Sequence, residues 1–169
     1  MSKTCCVTGH RPSGFPWLYG EDSKFQSVYE KLLYERIERY ITESNVADFI
    51  SGMALGVDMD FAAAVLKLRK KYSSIHLHCA IPCHNQTKLW NRRDIARYNK
   101  ILKRADSSII LPKEYTRNCM FERNRYMVNK SDYVFAVWNG ERHGGTWYTM
   151  EYASRQHKEL DILYLGEIA

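Results

Sequence analysis

At 169 residues and 45% hydrophobic, the chain suits one domain, 1–169, with a sizeable core, and no Pro/Ser linker, repeat or low-complexity tract marks a boundary. Its formal net charge of +6 is carried almost entirely by one segment, Lys88 to Asp106. Five cysteines, an odd number, make no disulfide framework, no apolar run approaches the ~18 residues of a bilayer span, and Met1-Ser2-Lys3-Thr4 enters a strand rather than a signal-peptide pattern, so the expected location is the cytoplasm, with no membrane contact.

The first strand is predicted near 4–8. Its tandem Cys5 and Cys6 point to opposite faces and read as small buried apolar residues. The strand leaves through Val7-Thr8-Gly9-His10-Arg11-Pro12. Nothing local calls for a cation between an apolar strand and a proline, so Arg11 is expected to contact a ligand, with Gly9 and His10 beside it. A helix over 24–44 follows, with Phe25, Val28, Leu32, Leu33, Ile37, Tyr40 and Ile41 on one stripe.

A second strand, 46–51, leaves through Ser51-Gly52-Met53-Ala54-Leu55-Gly56-Val57-Asp58 into a helix over 58–71, with Asp58 the expected N-cap. The third strand, 75–81, carries His76, His78 and Cys79. Together with Cys83 and His84 they fit none of the usual zinc spacings, because His76 and His78 share a face from which Cys79 points away, and no metal is expected. The helix predicted over 86–105 bears the basic segment. It reads as the solvated outer face of a crossover helix with Trp90, Tyr98, Ile101 and Leu102 inward, in preference to a surface for a phosphate backbone. Gln86 and Trp90, at i and i+4 near its start, are candidates to line a cleft, with Trp90 stacking on a base.

After a strand over 107–111, a helix over 117–130 bears Arg123 at helical spacing from Met120 and Met127. A guanidinium on an apolar face either snorkels at its edge, paired with Glu122 or Asp132, or holds a ligand; the ligand role is favoured. The fifth strand, 132–138, passes Asn139 into a Gly-rich loop that opens a helix over 146–158, and a last strand spans 161–165. Gly144 and Gly145 let backbone approach a ligand, while free N–H groups at the positive end of the helix dipole favour an anion such as phosphate. Thr146 caps that helix or touches the same anion. Strict alternation of short apolar strands with helices predicts an α/β fold, a doubly wound, mainly parallel sheet of about six strands with helices on both faces. Right-handed crossovers then bring the three glycine turns to its carboxyl edge, where open sheets bind ligands.

These residues carry a resemblance. Cys6 to Pro12, Ser51 to Asp58 and Gln86 to Trp90 resemble the YpsA family of Rossmann-like proteins, within the wider SLOG superfamily, over nearly the whole chain. The Ser51 to Asp58 turn also resembles that of the DNA-processing protein DprA. Phe121 to Arg125, Ser131-Asp132, Gly144-Gly145 and Glu151 are similar to the LOG phosphoribohydrolases, whose motif is a helix with a catalytic Arg followed by Pro-Gly-Gly-x-Gly-Thr-x-Glu-Glu. Aligned on the two glycines, Arg123 falls in the Arg region and Glu151 on the last Glu. Here the Pro is missing, Trp147 stands in place of the third glycine, and Glu141-Arg142-His143 is inserted.

The resemblance implies a nucleotide-like ligand of the ADP-ribose or nucleoside-phosphate class and no required cofactor. The implied contacts are Gly9, His10, Arg11, Ser51, Gly52, Met53, Ala54, Gly56, Asp58, Gln86, Trp90, Asn139, Gly144, Gly145 and Thr146. A binding protein of sensor type is the leading reading. The enzyme reading is a nucleoside 5′-monophosphate phosphoribohydrolase, in which Glu151 stabilises an oxocarbenium-like sugar and activates water while Arg123 or Arg11 holds the 5′-phosphate or helps the leaving base. Without that role Glu151 is a first-turn glutamate complementing the helix dipole. The third reading is a DprA-like binder of single-stranded nucleic acid, and a homo-oligomer is left open.

Overall fold

The computed structural model describes residues 1–83, 85–111 and 116–167. Its strands are β1 (Lys3–Gly9), β2 (Val46–Ser51), β3 (His76–Ile81), β4 (Ser107–Ile110), β5 (Tyr133–Trp138) and β6 (Glu159–Tyr164). The helices are α1 (Pro16–Tyr19), α2 (Gln26–Ser44), α3 (Val57–Arg69), α4 (Arg92–Arg104), α5 (Cys119–Asn129) and α6 (Gly144–Arg155), with 3-10 turns at Pro12–Gly14 and Leu165–Glu167. All neighbouring strands are parallel, in the order β4-β3-β2-β1-β5-β6. The fold is an α/β, Rossmann-like, doubly wound sheet, and it is parallel throughout rather than mainly so.

Alternation along the strands sorts the core into two layers. Cys5, Phe49, Leu77, Cys79, Phe135 and Val137 meet Leu33 and Ile37 of α2, Phe61 and Val65 of α3, and Tyr98 and Ile101 of α4. Cys6, Ile50, Ala80 and Val134 point the other way, to Met127 and Val128 of α5 and Ala153 of α6. Burying each large apolar side chain of this kind contributes about 1.5–3 kcal/mol. Both first-strand cysteines are buried, one in each layer, and burial pushes the Cys6 thiol up to about 12.

Local chemistry sets the helix ends. Asn45 closes α2 in the left-handed region at φ 56°, where a short polar side chain is tolerated. The α4 helix starts at Arg92, later than the 86 predicted, because Asn91 caps it: its Oδ1 accepts the Asp94 N–H at 2.8 Å. Gln86 and Trp90 therefore lie in turns before the helix, not at i and i+4 upon it.

The strand order puts the topological switch between β1 and β5. From β1 the chain proceeds to β2 on one side, and from β5 to β6 on the other. Loops leaving the carboxyl ends of these two neighbours diverge, and the crevice between them is where open α/β sheets hold ligands.

Candidate ligand site at the switch point

A cavity of about 400 Å³ opens between the β1 and β5 exits. From the β1 side, Gly9 is required by packing: a Cβ there would run into the Val57 side chain, so glycine lets the start of α3 close onto the strand. The His10 carbonyl accepts the Val57 N–H at 3.3 Å. Gly56, at φ +90°, leaves no room for a side chain either, since its Cβ would lie 2.7 Å from the His10 carbonyl oxygen. The first two βα turns are thus one interlocked unit.

The His10 ring stands edge-on to Phe15, with centroids 5.2 Å apart, and its Nε2 accepts the Asn139 backbone N–H at 3.3 Å. Burial lowers its pKa below the ordinary value, which suits a neutral acceptor nitrogen. Asn139 also donates from Nδ2 to the Gly14 carbonyl at 3.2 Å. Together these bonds tie the β1 exit to the β5 exit across the mouth of the switch point.

In the second turn, Ser51 Oγ donates to the Asp58 carbonyl at 2.7 Å and accepts the Met53 N–H at 3.2 Å. Met53 holds φ 59°, and its carbonyl accepts Gln86 Nε2 at 3.2 Å. These groups brace the turn, and Ser51, Gly52, Met53, Gly56 and Gln86 do not line the cavity. Asp58 does line it. It is the second residue of α3, with Gly56 at the N-cap position, and its Oδ2 accepts the Ala54 N–H at 3.3 Å, so the expected N-cap role falls to backbone geometry instead. Burial raises the Asp58 pKa, and the nearby Arg123 guanidinium opposes that shift.

Arg123 enters from the other sheet face. It is 4% exposed, donates from Nη1 to the Gly52 and Ala80 carbonyls, and bonds Asn124 Oδ1 from Nε at 2.8 Å. Among the described residues its Nη2 meets only the Met120 sulfur, at 3.9 Å. The expected alternatives do not hold: Arg123 neither snorkels nor pairs with Glu122 or Asp132, and Asp132 instead accepts the Thr4 N–H. Among the described residues neither Arg123 nor Arg11 has a carboxylate within ion-pair distance. Burial lowers the Arg123 pKa, and Asp58 is the acid that opposes it. Arg11 is exposed on the same cavity wall.

The fourth wall is the start of α6. The helix begins at Gly144, two residues before the expected start, so Thr146 is its third residue and lies on the cavity wall rather than capping the helix. Gly144, at φ +87°, and Gly145 have nothing within 4 Å of a built Cβ, so open space faces their backbone. That is the geometry in which helix N–H groups meet an anion. Glu141 and His143, 3.4 Å apart, also line the wall. Their place in the insertion before the glycines was the only sign of them in the sequence; Asn124 was marked only as part of the Phe121 to Arg125 segment, and Ser13 and Gly14 gave no sign.

Three further expected residues, Asn139, Glu151 and Trp90, also fall outside the cavity lining. Glu151 is exposed and does not line the cavity, standing about 10 Å along the helix axis from Gly144, in the second half of α6 rather than its first turn. Trp90 packs edge-on against Tyr98, with centroids 5.4 Å apart, and lines no part of the cavity. Tyr98 and Ile101 of α4 are buried while its cations face outward, and Arg97 pairs with Asp60 at 3.0 Å. Among the described residues no group of His, Cys, Asp and Glu is placed to hold a metal, and His84 lies outside them. No helix among them is long and apolar enough to cross a membrane.

An all-parallel doubly wound sheet with a polar cavity at its switch point defines a Rossmann-like α/β protein. The chain belongs to the YspA SLOG family, whose model, YpsA, matches residues 5–165. It is 32% identical over 153 residues to the SPbeta prophage-derived protein YoqJ of Bacillus subtilis (strain 168), covering 76% of this chain and 89% of that one. It is 24% identical over 159 residues to the UPF0398 protein YpsA of the same organism, covering 93% and 87%. Among solved structures, DNA processing protein A from Helicobacter pylori, described with a single-stranded DNA binding mode, superposes with a TM-score of 0.60 at 16% identity. That match covers 95% of this chain but 64% of the solved one, so this chain spans less than two thirds of its length.

Proposed function

We propose that this protein binds a nucleotide-derived ligand of the ADP-ribose or nucleoside-phosphate class in the switch-point cavity. One observation carries the reading. Arg123 is a buried guanidinium on the cavity wall whose acceptors are neutral carbonyls and an amide, with no ion-pair partner among the described residues. Burying a charge without an ion pair is costly, Asp58 opposes that cost only from beyond ion-pair distance, and an anion in the cavity would supply a closer counter-charge. Arg11 and the amides of Gly144 and Gly145 border the same space, a combination suited to phosphate oxygens. The position of Glu151 favours binding over N-glycoside cleavage, because the carboxylate the enzyme reading needs stands outside the cavity.

The test is a thermal-shift screen of nucleoside mono- and diphosphates and ADP-ribose, followed by chromatography for released base. Saturable stabilisation without base release supports the binder. No stabilisation by any of them would remove it, and base release would make the protein an enzyme.

The nucleic-acid reading rests on a separate feature, the outward cations of α4. Retention of single-stranded DNA that weakens steeply with salt, and is lost when Arg93, Lys100 and Arg104 are changed to Ser, would favour it.

A further inference from the structure

The α5/α6 layer leaves part of the sheet face over β3 and β4 open. There a second cavity, about 370 Å³, is floored by Ile50, Ala80 and Ile109 and walled by Lys130, the residue just past the end of α5. It belongs to no part of the switch-point site. Three polar side chains cross its strands in line. Ser107 opens β4 directly opposite His78 in the β3–β4 register, and Asp48 lies two residues before Ile50, the β2 partner of His78.

Their contacts run in sequence: Asp48 Oδ1 to His78 Nε2 at 2.8 Å, then His78 Nδ1 to Ser107 Oγ at 2.6 Å. An ionised carboxylate only accepts, so Nε2 of the neutral ring carries the proton and donates it to Asp48. The Nδ1 lone pair is then left to accept the Ser107 O–H. A hydroxyl bonded to an imidazole base, itself oriented by a carboxylate, is the arrangement that activates a serine nucleophile, and such a relay is recognised by geometry on any fold. Ser107 is exposed, so an acyl carbon can reach it, and Asp48 and His78 are each partly shielded, at 32% side-chain exposure.

We infer that Asp48, His78 and Ser107 form a nucleophilic relay that hydrolyses carboxylic esters. Ser107 Oγ attacks the ester carbonyl carbon and its proton passes to His78 Nδ1. Asp48 acts as a positioning residue, holding the ring and balancing the imidazolium. The tetrahedral intermediate breaks the bond to the alcohol oxygen, and His78 returns the proton to the departing alcohol. Water then attacks the acyl-serine, giving its proton to His78, and the carboxylic acid leaves as Ser107 regains the hydrogen. Lys130 is the cation available on the wall for the developing oxyanion. Ile50, Ala80 and Ile109 give the acyl chain an apolar floor. His76, with Nδ1 3.6 Å from the same Asp48 oxygen, is the other titratable group on this carboxylate.

The test treats the full chain with a fluorophosphonate probe and, separately, with p-nitrophenyl acetate. We expect a phosphonyl adduct that mass spectrometry places on Ser107, its absence in Ser107→Ala, and labelling slowed about 10²-fold or more in His78→Gln. Nucleotide-induced stabilisation should be unchanged in Ser107→Ala, which keeps this outcome separate from that of the switch-point site. Absence of an adduct on Ser107 in the wild type, or equal labelling rates in folded His78→Gln, would overturn the inference. Should His78→Gln fail to fold, Asp48→Asn, with its near-isosteric amide, takes its place under the same criterion.

Discussion

The Arg123 guanidinium occupies the space that a side chain on Gly52 would need, and Nη1 donates to the Gly52 carbonyl at the same point. A residue of α5 and a glycine at the exit of β2, far apart in the chain, therefore define one position. The glycine is there for the arginine.

Gly52→Ala should accordingly displace the guanidinium and cost about 1–3 kcal/mol, the range for inserting a methyl group into a filled interior. Nucleotide-induced stabilisation should fall with it. Chemical denaturation and thermal shift of the same variant check both, and a variant as stable as the wild type would show that Arg123 yields without loss.

Arg11 stands exposed on the cavity wall, with no carboxylate partner among the described residues. Replacing it by alanine should weaken nucleotide binding by about 1.5–3 kcal/mol, as expected for hydrogen bonds to a charged group, and leave the melting temperature of the free protein unchanged. Calorimetric titration decides the point. Equal affinities would place the anion elsewhere.

For Glu151→Gln the expectation is near silence. The residue is exposed, lies outside the cavity and has no place in the first turn of α6, so affinity should stay within a few fold and stability within about 0.5 kcal/mol. If the wild type released base from a nucleoside monophosphate and this variant did not, Glu151 would return as the catalytic carboxylate.

His10 makes the β1–β5 tie dependent on pH. Burial lowers its folded-state pKa below the ordinary 6.5, with Glu141 opposing and His143 assisting the shift. For a histidine with a depressed pKa the stabilising contribution is complete above about 6.5 and is lost as pH falls through the folded value. Protonation places a hydrogen on the Nε2 that accepts from Asn139. An NMR titration of the His10 ring should give a midpoint below 6.5, and the acid-side fall in melting temperature should be shallower in His10→Gln; a midpoint at or above 6.5 contradicts this.

Much of the fold was legible because its signals are local. Short apolar strands alternating with amphipathic helices require a parallel sheet covered on both faces, and the period of two sends Cys5 and Cys6 to opposite layers whatever surrounds them. Boundaries were less legible where a cap decides them. Asn91 starts α4 by accepting a single N–H, and the competing turn over the preceding residues leaves no mark in hydrophobic periodicity.

Composition and spacing by themselves determined that an α/β sheet would carry glycine turns at the ends of its first, second and fifth strands, with an arginine in the first. The tertiary structure decided what each glycine is for. Gly9, Gly52 and Gly56 clear space for Val57, Arg123 and the His10 carbonyl, while Gly144 and Gly145 alone face open space. It also decided that Arg123 is buried in the cavity wall, that Glu151 stands outside it, and that Asp48, His78 and Ser107 meet across β2, β3 and β4. The reason is physical: periodicity follows from the geometry of a single strand or helix, whereas these contacts depend on strand order and register, which arise only when distant segments pair and bury one another's surfaces.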